Sequence, residues 1–324
     1  RALMSGLPFV RRAVGATITL ALGGCFPSQT APPAVPVAAS PATARLVTPS
    51  GIVIDAYRMG WVGVKGTHRE LDVPAFLAIP SIFLGRQWTP WLPIIGFAIR
   101  HPEGTILVDA GPAAGFSDPA YWACDKRTGF FYRKNLRFNL PADELLAPRL
   151  AALGITDDSV RAIVVTHFHA DHIGGLEGRT DRRVITGAGN WPRHVGSFTC
   201  RFPASFAPET IPDAPFDTAL VGGRALTRDG AVRVIPVPGH TPGHVGVVIE
   251  DGPTRILLAG DATFDLDQSA RGGITGVATD KAAARATQRT LTALDRGNVL
   301  VLPAHDTTVF ARMRAWRSPT TVPR

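Results

Sequence analysis

Residues 166–172 read Thr166-His167-Phe168-His169-Ala170-Asp171-His172, directly after the β-branched run Ile163-Val164-Val165 and just ahead of Gly174-Gly175. Two histidines in alternation need be no more than the outer face of a strand. Three histidines and an aspartate packed together are a different matter, because imidazole and carboxylate are common nitrogen and oxygen ligands of divalent ions. Folding all four inward needs a turn, and the paired glycines supply the backbone freedom for one.

Downstream, groups of the same kind recur just past apolar runs. Pro238-Gly239-His240-Thr241-Pro242-Gly243-His244 follows Val232 to Val237, Asp261 follows Ile256-Leu257-Leu258-Ala259-Gly260, and His305 follows Val299-Leu300-Val301-Leu302-Pro303-Ala304. Short apolar runs bounded by glycine or polar clusters read as buried strands. The ends of strands in α/β folds collect at one rim. His167, His169, Asp171, His172, His240, Asp261 and His305 are therefore expected to converge although they are scattered along the chain.

Further strands are expected at Ile52 to Tyr57, Ile94 to Arg100, Thr105 to Val108, Ala162 to Thr166, Val245 to Ile249 and Arg255 to Ala259. Helices are expected at Ala142 to Leu153 and at Asp280 to Leu294, the latter with Asp280 as its cap. Interleaving of the two argues for sheet covered by helices, an α/β layered domain. The apolar stretch Phe76 to Ile99 contains Pro80, Arg86, Gln87, Pro90 and Pro93, which argues against a transmembrane helix. Its Trp88 and Trp91 either line a pocket or plug the core.

At the amino end, Arg11-Arg12 precede the apolar run Ala13 to Leu22, too short to span a bilayer. The run stops at Leu22-Gly23-Gly24-Cys25, which resembles the lipobox of bacterial lipoproteins. Residues 1–24 are read as a signal peptide with a lipid anchor at Cys25, an ordinary cleaved signal being the alternative. Either way the protein is expected to be exported, periplasmic or membrane-anchored. Residues 25–50, rich in Pro and Ala, read as a tether, residues 51–315 as one domain and 316–324 as a tail. Cys124 and Cys200 remain, as a disulfide or as two buried thiols. A hydrophobic fraction of 45% allows a sizeable core. The 34 Lys and Arg against 26 Asp and Glu give +8, but the basic residues form no run of five or six, which argues against a nucleic-acid face.

The His-x-His-x-Asp-His signature at 167–172, the Pro-Gly-His-Thr-Pro-Gly-His loop, the Gly260-Asp261 strand end and the late His305 together resemble the metallo-β-lactamase superfamily. The resemblance covers most of residues 52–310, including Leu107-Val108-Asp109-Ala110-Gly111. It implies an αββα four-layer sandwich and two divalent metal ions, a mixed nitrogen and oxygen ligand set that suits zinc but also accepts manganese, iron or cobalt. Carried over by position, it puts His167, His169 and His240 on one ion and Asp171, His172 and His305 on the other, with Asp261 bridging. Two such ions would share a hydroxide at neutral pH, because each lowers the pKa of bound water. Asp171 would carry a proton to the leaving group, so Asp171 and Asp261 are the carboxylates with catalytic roles. Asp109 reads as the acceptor that orients a ligand imidazole, and His244 as such a support or simply packed. His68, His101 and His194 have no motif context and default to surface or satisfied core positions.

Within the superfamily, Leu92-Pro93-Ile94-Ile95, the hairpin His101 to Asp109 and Ala304-His305-Asp306 look most like N-acyl-homoserine lactonases, the quorum-quenching class. The resemblance therefore implies a hydrolase opening a small-molecule lactone or ester. The alternative is another carboxylic ester or phosphotriester hydrolase on the same site, and a non-catalytic metal- or ligand-binding lipoprotein is a distant third. One departure stands out: those lactonases usually carry a tyrosine in the strand-end segment, where this chain has Asp261-Ala262-Thr263-Phe264. Phenylalanine cannot donate a hydrogen bond to a substrate carbonyl. Finally, Gly115 to Leu140 reads as a long aromatic-rich loop, either roofing an apolar pocket for an acyl chain or forming the interface of a homodimer. Tyr121, Trp122, Phe131 and Phe264 are the candidate pocket residues.

Overall fold

The structure is a computed structural model, and it describes residues 42–192 and 196–317. The readings placed on residues 1–41, including acylation of Cys25, and on His194 and the last residues of the tail lie outside the described residues.

The first sheet is built from β1 (Thr43–Val47), β2 (Val53–Val64), β3 (Leu92–His101), β4 (Gly104–Val108), β5 (Leu136–Asn139), β6 (Val160–Val164), β7 (Val184–Gly187) and β8 (Glu209–Ile211). Its order is β1-β2-β3-β4-β6-β7-β8, with β5 paired to β2. The second sheet holds β9 (Arg224–Ala225), β10 (Val232–Pro236), β11 (Val245–Asp251), β12 (Thr254–Gly260) and β13 (Leu300–Pro303), in the order β13-β12-β11-β10-β9. Both sheets are mixed: β4, β6, β7 and β8 pair in parallel in the first, as do β12 and β13 in the second.

The strands read as near-continuous apolar runs because both faces of each sheet are covered. Along β12, Ile256 and Leu258 pack into the core between the sheets with Ile54, Phe97, Val108 and Val164, while Leu257 and Ala259 face the other way. Among the described residues the helices are α1 (Gly66–Arg69), α2 (Ala75–Leu84), α3 (Lys126–Asn135), α4 (Leu146–Ala152), α5 (Ala170–Ile173), α6 (Leu266–Ala270), α7 (Lys281–Arg296) and α8 (Val309–Ala315). Leu291 and Leu294 of α7 cover the outer face of the second sheet. Asp280 caps α7 by accepting from the Ala283 amide at 2.9 Å, as its position predicts. The result is the expected layering of helices, two sheets and helices. Among the described residues, no helix is long and apolar enough to cross a membrane.

Four expectations change. Residues 43–47, read as tether, form β1, which pairs antiparallel with β2 from Thr43↔Tyr57 to Val47↔Val53. Ala44 and Leu46 are its buried face, too brief an alternation to stand out beside the Pro/Ala-rich stretch. The helix expected from Ala142 starts only at Leu146, after a single turn at Ala142–Glu144. Pro148 explains the delay: in a continuous helix its ring would meet the carbonyl of Glu144. Gly115 to Leu140 is not a loop, for it contains two short 3₁₀ turns, α3 and β5. The cap of α3 is Asp125, which accepts from the Arg127 and Thr128 amides at 3.2 and 3.1 Å. Trp88 neither plugs the core nor enters the main cavity, its ring lying between Lys65 Nζ at 4.5 Å and the Arg137 guanidinium at 4.7 Å. Of the alternatives for the cysteines, the disulfide is present: Cys124, just before α3, is bonded to Cys200.

Candidate metal centre

The seven expected side chains meet where the strands end. His167, His169, Asp171 and His172 descend from the exit of β6 into α5, His240 follows β10, Asp261 directly follows β12, and His305 follows β13. Gly239 is what lets His240 turn in. Its φ is +127°, and a Cβ there would lie 2.5 Å or less from the backbone of Ala284.

Within these seven, three donor sets are close enough to hold an ion: His167, His169 and His240; His167, His172 and Asp261; and Asp171, His172 and His305. His167 Nε2 lies 2.9 Å and His240 Nε2 3.2 Å from His169 Nδ1. On the other side, His172 Nε2 and His305 Nε2 are each 3.3 Å from Asp261 Oδ1, while the second Asp261 oxygen is 3.9 Å from His167 Nε2 and 3.7 Å from His240 Nε2. Asp171 Oδ2 is 3.6 Å from His305 Nε2. Asp261 thus faces both groups of imidazoles.

Four of the five inward imidazoles are aimed by what the ring holds on the outside. His172 Nδ1 is 2.8 Å from Asp109, His305 Nδ1 donates to the Pro93 carbonyl at 2.8 Å, His240 Nδ1 is 3.1 Å from Thr275 Oγ1, and His167 Nδ1 is 3.1 Å from Thr166 Oγ1. Asp109 also accepts from the Thr166 amide and hydroxyl, at 2.8 and 3.0 Å. It does so with a φ of 61°, a left-handed conformation that aspartate tolerates better than most residues. His244 serves as a support: its Nδ1 donates to the Val237 carbonyl and its Nε2 accepts the Asp261 amide. His169 has the tightest seat. Gly196 packs against it with a φ of +86°, and a Cβ there would fall 2.7 Å from His169 Nε2.

Electrostatics and hydrogen bonding both fit a pair of cations here. His172 Nε2 and Asp261 Oδ1 are buried and have no hydrogen-bond partner, a costly condition for polar atoms away from water. Burial pushes His167 and His240 well below the usual imidazole range, which keeps them neutral, as ligands must be. Burial is the largest influence on His172 and His305 and works against their protonation, yet the surrounding carboxylates, Asp261 first, together outweigh it and raise both. Burial raises the Asp171 carboxyl. At Asp261 burial acts the same way but is outweighed by His305 and His172, which hold it well below the usual carboxylate range. The carboxylates therefore draw positive charge into the cluster, the demand that divalent ions satisfy.

Against this cluster opens a cavity of about 450 Å³. His169, Asp171, Asp261 and His305 form its polar floor, and its walls include Val62 and Leu92 from the first sheet, Phe83 from α2, Phe131 from α3 and Phe264. Phe131 and Phe264 are thus among the residues lining this cavity. Tyr121 and Trp122 are not, because both are buried in the aromatic core instead. The Trp122 ring stacks on Tyr132 at 5.0 Å and its Nε1 donates to the Phe116 carbonyl, while Tyr121 donates to Glu177 at 2.6 Å. His68, left by its sequence to a surface or satisfied core position, is neither. His68 lies in the cavity, with its ring 5.9 Å from Phe131 and 6.2 Å from Phe264, and burial pulls its pKa down to about 4. Gly66-Thr67-His68-Arg69 offers no motif that could have marked it.

Residues 92–305 match the metallo-beta-lactamase superfamily. The chain belongs to that superfamily. A probable metallo-hydrolase of Mycobacterium tuberculosis is 30% identical over 178 residues, covering 51% of this chain and 55% of the relative. A hydroxyacylglutathione hydrolase of Pseudomonas entomophila is 34% identical over 161 residues, 49% of this chain and 52% of the relative. The chain thus spans about half the length of these curated relatives. An N-acyl homoserine lactonase of Azorhizobium caulinodans is 28% identical over 239 residues, 66% of this chain and 82% of the relative. Among solved structures of the superfamily, an N-acyl homoserine lactone hydrolase with the product N-hexanoyl-L-homoserine at its metal centre superposes with a TM-score of 0.60 at 16% identity. That match covers 86% of this chain and 98% of the other. A dizinc quorum-quenching lactonase superposes at 0.53 with 14% identity, covering 88% and 96%. Such identities carry the fold, and the histidine and aspartate cluster supplies side chains that could hold metal ions.

Proposed function

We propose that this superfamily hydrolase opens lactones bearing an apolar acyl chain, the N-acyl-homoserine lactone class, on a dinuclear site of zinc or a similar divalent ion. The observation that carries the reading is the apolar-walled cavity standing directly on the cluster of metal-binding side chains. His167, His169 and His240 would hold one ion and Asp171, His172 and His305 the other, with Asp261 between them. When bound, such a pair supplies activated water at neutral pH and polarises a carbonyl.

The rest is done by the chain's own groups. Asp171 faces the cavity, and burial raises its pKa, which suits it to pass a proton to the departing alkoxide. Asp109, Thr275 and the Pro93 carbonyl hold three imidazoles in register, so little reorganisation is left for the reaction. Phe83, Phe131, Val62 and Leu92 exclude water and receive the acyl chain. The acyl-homoserine relatives in sequence and fold support this choice of substrate, and the Cys124–Cys200 disulfide supports an exported, oxidising location. Phe264, lacking a hydroxyl, favours a second reading as an ester or phosphotriester hydrolase. Hydrolysis followed by pH-stat across homologous lactones, phosphotriesters and glutathione thioesters separates the readings. Turnover of phosphotriesters with none of lactones would overturn the first.

A further inference from the structure

The cavity wall holds four polar side chains besides the metal-binding floor: His68, Arg127, Thr128 and Tyr132. Three have other occupations. Tyr132 donates to the Gly196 carbonyl and accepts from the Ala170 amide, both at 3.0 Å, Thr128 donates to Asp125 at 3.0 Å, and Arg127 is exposed. His68 differs from them. It is 93% buried (7% exposed), and its Nδ1 has no hydrogen-bond partner. Its ring neighbours are the benzyl groups of Phe131 and Phe264.

An imidazole among apolar rings whose Nδ1 is buried without a partner costs stability that a leucine there would not, because that atom's lost contact with water is not replaced. That cost has a use if a ligand completes the hydrogen bonding. The position suits it: Phe264, in contact with His68, is itself 5.2 Å from the ring of His305. A ligand seated on the metal-binding floor therefore lies one aromatic ring away from His68. Neutral imidazole carries one N–H donor and one acceptor, which matches a carbonyl oxygen without adding charge to an apolar wall.

We propose that His68 is a catalytic hydrogen-bond donor, its ring N–H going to the carbonyl oxygen of the group being hydrolysed. The inference rests on the acyl-lactone reading for the identity of that carbonyl. His68 acts where the Phe264 side chain offers no hydroxyl. A tyrosine at 264 would place an alternative donor between His68 and the floor.

The test uses the full zinc-loaded chain. His68→Phe is expected to lower kcat/KM on an N-acyl lactone by about 10- to 100-fold, the scale of losing one donor to a reacting carbonyl, with two metals per chain retained. His68→Gln, which keeps an N–H donor, should recover part of the loss, and Phe264→Tyr should do so within the His68→Phe background. Independently of turnover, ¹⁵N-histidine spectra are recorded with N-hexanoyl-homoserine, the ring-opened acid, as probe. The signal missing from the His68→Phe spectrum should shift as the probe is added. Full activity in His68→Phe, loss of metal along with activity, or a His68 signal unmoved by the probe would each overturn the assignment. If the wild type opens no lactone, the substrate reading fails by itself and the spectra alone decide His68: a shift upholds the donor, and no shift removes it.

Discussion

The two sides of the cavity are built on opposite principles. On the floor, four inward-facing imidazoles are each fixed from behind by a hydrogen bond of 2.8–3.1 Å to Asp109, Pro93, Thr275 or Thr166. On the facing wall, Phe83 packs on Phe130 and Phe131 at 5.8 and 5.7 Å, and α2 leaves Phe76 and Leu84 77% and 78% exposed. Ion binding demands direction, so the floor spends polar contacts on orientation. Accommodating an acyl chain demands volume and dryness, which many apolar side chains supply.

If the floor is directional, removing one ligand should be the most damaging change. His169→Ala or His240→Ala is expected to abolish turnover, by about 10³-fold or more, together with stoichiometric loss of metal, since the group that activates water is no longer held. Metal analysis beside kinetics checks it, and a metal-depleted preparation with full activity would break the comparison outright. Asp109→Asn leaves every ligand in place and disturbs only the aim of His172. It should weaken metal affinity by about 10- to 100-fold, read by titration with a competing chelator. Unchanged affinity would mean that the floor tolerates the same looseness as the wall.

The contrast also governs what the sequence could reveal. Direction leaves a record: histidines and aspartates at strand ends, with glycines beside them, pointed to the rim, and Asp109 was readable as a support because metal-bound histidines commonly donate their other N–H to a carboxylate. Eight apolar runs likewise mark strands that the structure contains. Volume leaves almost none. Phe131 and Trp122 are both aromatic residues of one segment, yet one lines the cavity and the other is core, a distinction set by the helical turns from Pro119 to Asn135 and invisible in composition. β1 and β8 are short, with few buried residues apiece, below what periodicity resolves. His68 reaches the cavity through tertiary packing alone.

A chain-length series sharpens the wall side. Each methylene buried contributes about 0.8 kcal/mol, so kcat/KM on lactones should rise by up to about fourfold per carbon if that energy is realised in the transition state. Phe131→Ser should flatten the rise without changing metal content or moving Tm greatly. Trp122→Ser should do the reverse, keeping the slope while destabilising the fold by about 3–5 kcal/mol as a large core ring is lost. Identical behaviour of the two variants would show that the aromatic segment acts as a single unit, against the division drawn here.

The smallest expected effect concerns how wall and floor are joined. Two links connect them. The Cys124–Cys200 disulfide ties the residues just before α3 to the segment following Gly196, and the Tyr132 hydroxyl bridges Gly196 and Ala170 on either side of His169. The disulfide closes a loop of 76 residues, so its loss acts mainly by freeing the unfolded chain, at a cost of about 2–4 kcal/mol. It touches no ligand. Cys124→Ser with Cys200→Ser should therefore lower Tm while kcat/KM on any substrate stays within about threefold, because Tyr132 still seats the loop behind His169. Tyr132→Phe removes the partner of the buried Ala170 amide and of the half-buried Gly196 carbonyl, at about 1–3 kcal/mol, and should reach His169 itself, as weaker metal binding. In the triple variant the losses of metal affinity should exceed their sum, since either link alone can hold the segment. Simple additivity would mean that the links act separately, and that the floor keeps its geometry from its own hydrogen bonds whatever the wall does.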